Sequence, residues 1–463
     1  MGNKTRFSFN GKGTVDDDSE YMQDYIQYPF TVPTGIVTII IHLEYEPLIM
    51  RDITNLITLG LFDPLGFRGN AHRIPSEQGV ILSANEATVG FTPGPIHAGE
   101  WLAQLSIHAV VADTVPCKYR LDIELVEGNT SIVQKKPWDG SQRTLHSVPG
   151  WYRGELHSHT THSDGDCTVQ DLIDNAVLNH LDFLAITDHN TTSTLYELNL
   201  ANFHDLLIIP GFELTTFHGH ALALGIDQWV DWRTGYNGWT INDAALEVQK
   251  LGGVFILAHP NDIGSPRCTG CKWEYPDINF DLVDAVEIWN SGWWEGEDGN
   301  TKNLLQWHNL QKESRRIPFT AGTDYHQIGD WDKKSALTYV YAPELSVPAI
   351  LEGIRKGRVI ISNGPRITLQ GIQGDEQIFA EIGDTLNASS PLVRLLISWN
   401  EVPDSSELLV YTKQGVNRNI AVSGSGSKDI EINVLDNDST WIEVYGQDGS
   451  LLAITNPIYI AGK

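Results

Sequence analysis

At 463 residues the chain is too long for one ordinary domain, and two or three are expected. Its 59 acidic against 31 basic residues leave a formal net charge of −28, which argues against a nucleic-acid partner, because neutralising phosphates draws on Lys and Arg. Four cysteines are too few for a disulfide scaffold, and no apolar run reaches the ~18 residues needed to span a membrane.

The start, MGNKTRFSFNGKG, lacks an apolar h-region, which fits either a cytoplasmic protein or a secreted one whose leader has been removed. Residues 1–148 read as an all-β domain. The β-branched run IVTIIIHLEY occupies 36–45, and shorter alternating runs at 101–111 and 119–126 are separated by Gly and Pro. A β-sandwich is the natural architecture. His42, His72, His97 and His108 are scattered through it and read as structural. Residues 135–150, polar and bearing Pro and Gly, read as a linker.

Between 149 and 364 strands and helices alternate. Strands are expected at 155–159, 182–187, 207–215, 221–226, 253–258, 283–289 and 317–322, with helices at 168–181, 240–251 and 301–316. Short apolar strands with intervening helices imply a mostly parallel, closed or nearly closed sheet. From 365 to 463 the helices disappear. Short β runs at 392–399, 407–412, 428–434 and 441–445 suggest a second β-sandwich.

The chemistry is concentrated in the central domain. Within GELHSHTTHSDG (154–165), His157 and His159 stand at i and i+2, so on an extended segment both rings share a face. Asp164 follows. The second strand runs into Asp188 and His189, and the third into Pro210-Gly211-Phe212-Glu213. His218-Gly219-His220 precedes the fourth, the fifth ends at Ala258-His259-Pro260, and the last at Gly322-Thr323-Asp324-Tyr325-His326. Imidazoles and carboxylates in phase with successive strand ends are what a divalent-metal site requires, and core packing does not explain them.

These motifs (HSH with a following SDG, TDH, G-x-E, GHA, AHP and G-T-D-x-H) resemble the PHP superfamily, polymerase and histidinol phosphatase, over roughly 151–364. The wording GELHSHTTHSDG, LDFLAITDHN and FELTTFHGHALALG is similar more narrowly to the CehA/McbA group of metallohydrolases, as are ISNGP and AITNPIYI. The resemblance implies a distorted (β/α)7 PHP-type barrel, flanked here by N- and C-terminal β-sandwich domains, holding two or three divalent ions (Zn, Mn or Fe). It implies one ion on His157, His159, Glu213 and Asp324, and a second sharing Glu213 with His220 and His259. A third would lie on Asp164, His189 and His326. The implied activity is hydrolysis of a small-molecule ester (phosphoester, carboxyl or carbamate) by a metal-bridging hydroxide, with Glu213 as the bridge. The competing expectation is a polymer- or glycan-binding module whose barrel metals are structural.

Other residues are candidates on position alone. His162 is a spare acid for the leaving group or a structural histidine. Asp188 points to the opposite strand face from His189 and supports the site without ligating. His218 competes with His220 as a ligand or meets substrate. Arg267 and Lys272, in SPRCTGCKWEY (265–275), are candidate phosphate contacts. Trp293 stacks on substrate or packs against a neighbouring domain. Cys268 and Cys271 form a loop disulfide or remain free thiols, since no second pair stands nearby to complete a zinc knuckle.

Overall fold

The computed structural model describes residues 4–13, 21–111, 116–129, 135–140, 143–203, 205–294, 298–327, 335–373, 378–388, 390, 392–433 and 439–462. Its first region is two four-stranded antiparallel sheets. One orders Lys4–Gly13, Cys117–Glu127, Ile36–Glu46 and Glu77–Ser83; the other orders Met22–Val32, Gly99–Val110, Leu56–Asp63 and Gly66–Ala71. Alternation decides which side is buried. Ile39, Ile41 and Leu43 face inward along one strand, and meet Trp101, Ala103 and Leu105 from the other sheet in one core.

In the central region Gly150–Glu155, Phe183–Ala185 and Leu207–Ile209 pair in parallel. A second sheet orders Gly211–Thr215, His220–Leu224, Val254–Leu257, Ala285–Asn290 and Phe319–Gly322. Two isolated parallel bridges, Ser158 to Tyr325 and His189 to Glu213, join the two sheets. The strand ends therefore come together where the histidines and carboxylates stand. Helices Val169–Leu178 and Ile241–Lys250 each start from a threonine N-cap, with Asp171 or Asp243 closing a capping box.

The structure differs in detail from the expected pattern at three places. The expected third strand breaks at Pro210, which has no N–H for a ladder, and its halves belong to different sheets. The mostly parallel arrangement is interrupted at His220–Leu224, which is antiparallel to both neighbours. Only residues 216–219 connect it to Gly211–Thr215, and a parallel crossover needs a dozen or more. Hydrogen bonding runs on across residue 364, where Val359–Ser362 pairs with Leu451–Thr455. Of the later strand runs, the one expected at 428–434 lies within Gly415–Asn433, and Val434 is outside the described residues.

A buried carboxylate links the central and last regions. Glu443 accepts from Trp441 Nε1 at 2.8 Å and from the Tyr445 hydroxyl at 2.6 Å, and its Oε1 lies 2.6 Å from Nε2 of His308 on helix Gly299–Lys312. Trp307 and Tyr411 pack on the Trp441 ring. Replacing Glu443 by Ala strands several buried donors. Urea unfolding is expected to show a loss of about 3–5 kcal/mol, with metal uptake at the distant cluster unchanged.

Candidate metal centre

His157 and His159 extend from the strand Gly150–Glu155, and Glu213 lies within Gly211–Thr215, pointing at both rings. Glu213 Oε2 is 3.1 Å from His157 Nε2, 3.3 Å from His159 Nε2 and 3.1 Å from His189 Nδ1. Its other oxygen is 2.9 Å from His220 Nδ1 and 3.3 Å from His259 Nε2. Asp324 Oδ1 approaches His157 and His159 at 3.2 and 3.0 Å. Beside this set, Asp164 Oδ1 stands 3.5 Å from His189 Nε2 and 3.4 Å from His326 Nε2.

His220 Nδ1 hydrogen-bonds Glu213 Oε1 at 2.9 Å, but for five of the other atoms close approach is not hydrogen bonding. Nε2 of His157 and of His159, Oδ1 of Asp164 and of Asp324, and Oε2 of Glu213 are all buried without a hydrogen-bond partner. Atoms of opposite polarity that crowd together without pairing fit a cation standing between them. Ligand atoms of His157, His159, Glu213 and Asp324 lie within 4.8 Å of one another, as do those of His159, Asp164, His189 and His326. A mixed imidazole and carboxylate donor set suits Zn, Mn or Fe.

All nine residues expected as ligands meet at this point. His220 stands in the cluster, its Nε2 2.9 Å from the Thr269 carbonyl, whereas the His218 side chain is half exposed and 3.7 Å from Glu274. Asp188 is outside the cluster: it accepts from Thr160 N and Oγ1 and from Ser163 Oγ, holding the loop between His159 and Asp164 in shape. His162 is turned away as well. Its Nε2 lies 2.8 Å from Glu197 and its Nδ1 2.7 Å from Ser193, and it does not line the cavity over the cluster. Arg267 lines the cavity over the cluster, about 290 Å³ in volume, while Lys272 and Trp293 do not. Trp293 is buried against Trp289 at 4.9 Å. Cys268 and Cys271 form a disulfide in that same loop.

Three participants escaped the sequence reading. Glu287 is fully buried, 3.1 Å from His157 Nδ1, and accepts the His259 backbone N–H at 3.0 Å. A carboxylate only accepts, so His157 carries its proton on Nδ1 and leaves Nε2 free to face the cluster. Gly322 makes room, since a Cβ there would sit 2.4 Å from Glu287 Oε1. Glu155 accepts the backbone N–H groups of Leu156, His157 and Thr323. Burial raises its pKa to about 7 against those bonds. Glu287 is a lone acid in an apolar strand, which is the signal that marks it, whereas Glu155 ends a strand that also carries Arg153. His72, from the first region, also lines the cavity and carries no such local signal.

The charges compensate one another when the chain is free of ions. Burial opposes ionisation of Asp164, Glu213 and Asp324, yet the surrounding histidines hold all three well below the ordinary carboxylate range. Burial likewise opposes the imidazolium of His259, but the hydrogen bond and charge of Glu213 raise it to about 9. His326 is raised to about 10, burial again being overcome by Asp324 and Asp164. Groups raised above their unfolded value of ~6.5 contribute stability that is complete below that pH and lost as pH rises through 9 to 10. The melting temperature of ion-free protein is expected to fall across this window, and Mn or Zn to restore it most at the alkaline end. Calorimetric metal titration at neutral pH is expected to release protons, read from its dependence on buffer ionisation enthalpy.

Comparison with known proteins finds partial likenesses. The 5'-3' exoribonuclease Rnm of Escherichia coli K12 and that of Salmonella typhimurium are each 40% identical to this chain over 81 residues, 16% of this chain. The match spans only 27% of the length of these relatives. Among solved structures, a two-domain protein of Bacteroides vulgatus containing a predicted PHP-like metal-dependent phosphoesterase aligns with TM-score 0.38 and 16% identity, over 72% of this chain and 99% of that one. An amidohydrolase from Chromobacterium violaceum, solved with sulfate and no metal, aligns with TM-score 0.27 and 16% identity, over 38% of this chain and 88% of its own. Residues 155–256, which carry His157, His159, Asp164, His189, Glu213 and His220, match the family model of the PHP domain.

Proposed function

We propose that the protein is a metal-dependent hydrolase of ester bonds, of the CehA/McbA type within the PHP class, acting on a small phosphoester or carboxyl ester. One observation carries this reading: five buried, partnerless ligand atoms from three separate strand ends converge beneath an open cavity. His157, His159, Glu213 and Asp324 would hold one ion, Glu213 with His220 and His259 a second, and Asp164, His189 and His326 a third. Ions held there would acidify water and polarise the ester oxygen.

The chain's own contribution is position. Glu287 fixes the His157 tautomer, Asp188 fixes the loop from Thr160 to Ser163, and Glu155 ties the first strand to the last. A cavity of about 290 Å³ suits a small substrate. Arg267 at its mouth favours an anionic one. The net charge of −28 opposes long polyanions, but the likeness to exoribonucleases keeps an RNA end among the candidates.

The test is a panel of p-nitrophenyl phosphate, bis-p-nitrophenyl phosphate, naphthyl esters, an aryl carbamate and a 5'-phosphorylated RNA oligomer, with Mn or Zn added. Turnover of at least one is expected, and His157→Ala is expected to lower its kcat/KM by at least about a thousandfold with the fold retained by circular dichroism. Ions bound without turnover of any member would instead favour a binding module with structural metals.

A further inference from the structure

We propose that His72 is a substrate-contacting residue of the metal-lined cavity, so that the first β region supplies part of the active site. The substrate would then be a small ester whose oxyanion accepts a hydrogen bond from this imidazole and whose adjoining group is compact and apolar. The inference rests on the hydrolase reading above and narrows it.

His72 follows directly on the strand Gly66–Ala71 and is only 7% exposed, yet it lines the cavity together with Asp164, His189 and Asp324. Its ring lies 4.4 Å from that of His189 and 4.9 Å from that of His108, which buttresses it edge-on. His108 is itself anchored, with Nε2 3.0 Å from the Thr58 hydroxyl. Arg73, the next residue, donates across the domain boundary to the Thr161 carbonyl at 3.3 Å, fixing His72 relative to the loop between His159 and Asp164.

Buried imidazoles ordinarily pair both nitrogens. Here Nδ1 is buried without a partner, and no hydrogen bond to either ring nitrogen joins His72 to another described residue. A cation does not explain this. His72 belongs to none of the ligand sets that converge within 4.8 Å, and it meets His189 by its ring rather than through a shared point. What remains is a polar atom at a cavity wall, supplied for something that enters the cavity. Leu56 and Ala109, from the same region, line the cavity beside it and set the apolar character of the substrate's neighbouring group.

The experiment compares His72→Ala and His72→Gln with the unaltered full-length protein, all loaded with Mn. Bound Mn per chain is expected to be unchanged in both. For whichever panel ester is turned over, His72→Ala is expected to raise KM roughly tenfold or more with kcat within about threefold, and His72→Gln, which keeps an N–H donor, to stay within about threefold of the unaltered protein. Calorimetric binding of inorganic phosphate is expected to weaken by the same factor in His72→Ala. This arm decides the role of His72 even if no ester is hydrolysed, an outcome that would sink only the hydrolase reading. Unchanged KM and phosphate affinity in His72→Ala would overturn the proposal. So would loss of Mn from that variant, His72→Gln as impaired as His72→Ala, or no phosphate binding by the Mn-loaded unaltered protein.

Discussion

A single buried carboxylate sets the terms for the centre of this molecule. Glu213 is fully enclosed, and an isolated charge in such a place would cost several kcal/mol. It is tolerated because five imidazoles, from His157, His159, His189, His220 and His259, stand within 3.3 Å of its two oxygens. Those rings are equally unfavourable there without it, since burial works against the charged form of each histidine for which a shift is resolved. The cluster is therefore stable only as a unit. Protons or metal cations supply its positive charge, and the two compete for the same nitrogens.

That mutual dependence explains why the strands close where they do. The bridge from His189 to Glu213 and the bridge from Ser158 to Tyr325 join the two central sheets within two residues of ligand candidates on both sides. The reversed strand His220–Leu224 has the same consequence. Arriving by a four-residue turn, it brings His220 back beside Glu213, where a long crossover would have placed the next residue of the strand end elsewhere.

Local patterns were legible, and what depended on distant chain was not. His157 and His159 share a face by strand period alone, and the phase of later His, Asp and Glu residues with strand ends was enough to point seven more at the same place. The hairpin at 216–219 was also available from its length, but a strand-and-helix rhythm on either side concealed it. The split at Pro210 was marked by the proline itself. Glu287 could have been found as a single charge inside an apolar strand. His72 could not: it is separated from His189 by over a hundred residues of chain, and nothing around it differs from an ordinary strand end.

His72 also shows how far the first region is committed to the site. Gly90 accepts from the Thr191 hydroxyl, and a Cβ at Gly90 would sit 3.0 Å from the His162 carbonyl and 2.6 Å from that of Asn70. The His108 carbonyl accepts from Gln23 and from Thr269 in the disulfide loop, whose own carbonyl lies 2.9 Å from His220 Nε2. Tyr25 stacks on Phe217 at 4.3 Å, and Phe62 and Phe67 pack on Trp229 and Trp232. Polar ties close to the cluster and aromatic packing farther out hold one face of the β region against the strand ends. A domain that merely tethered the protein to a surface or a partner would not need its backbone carbonyls threaded among the ligand loops. The arrangement makes sense if the cavity has two walls, a lower one that holds cations and an upper one that the first region builds for whatever is cleaved.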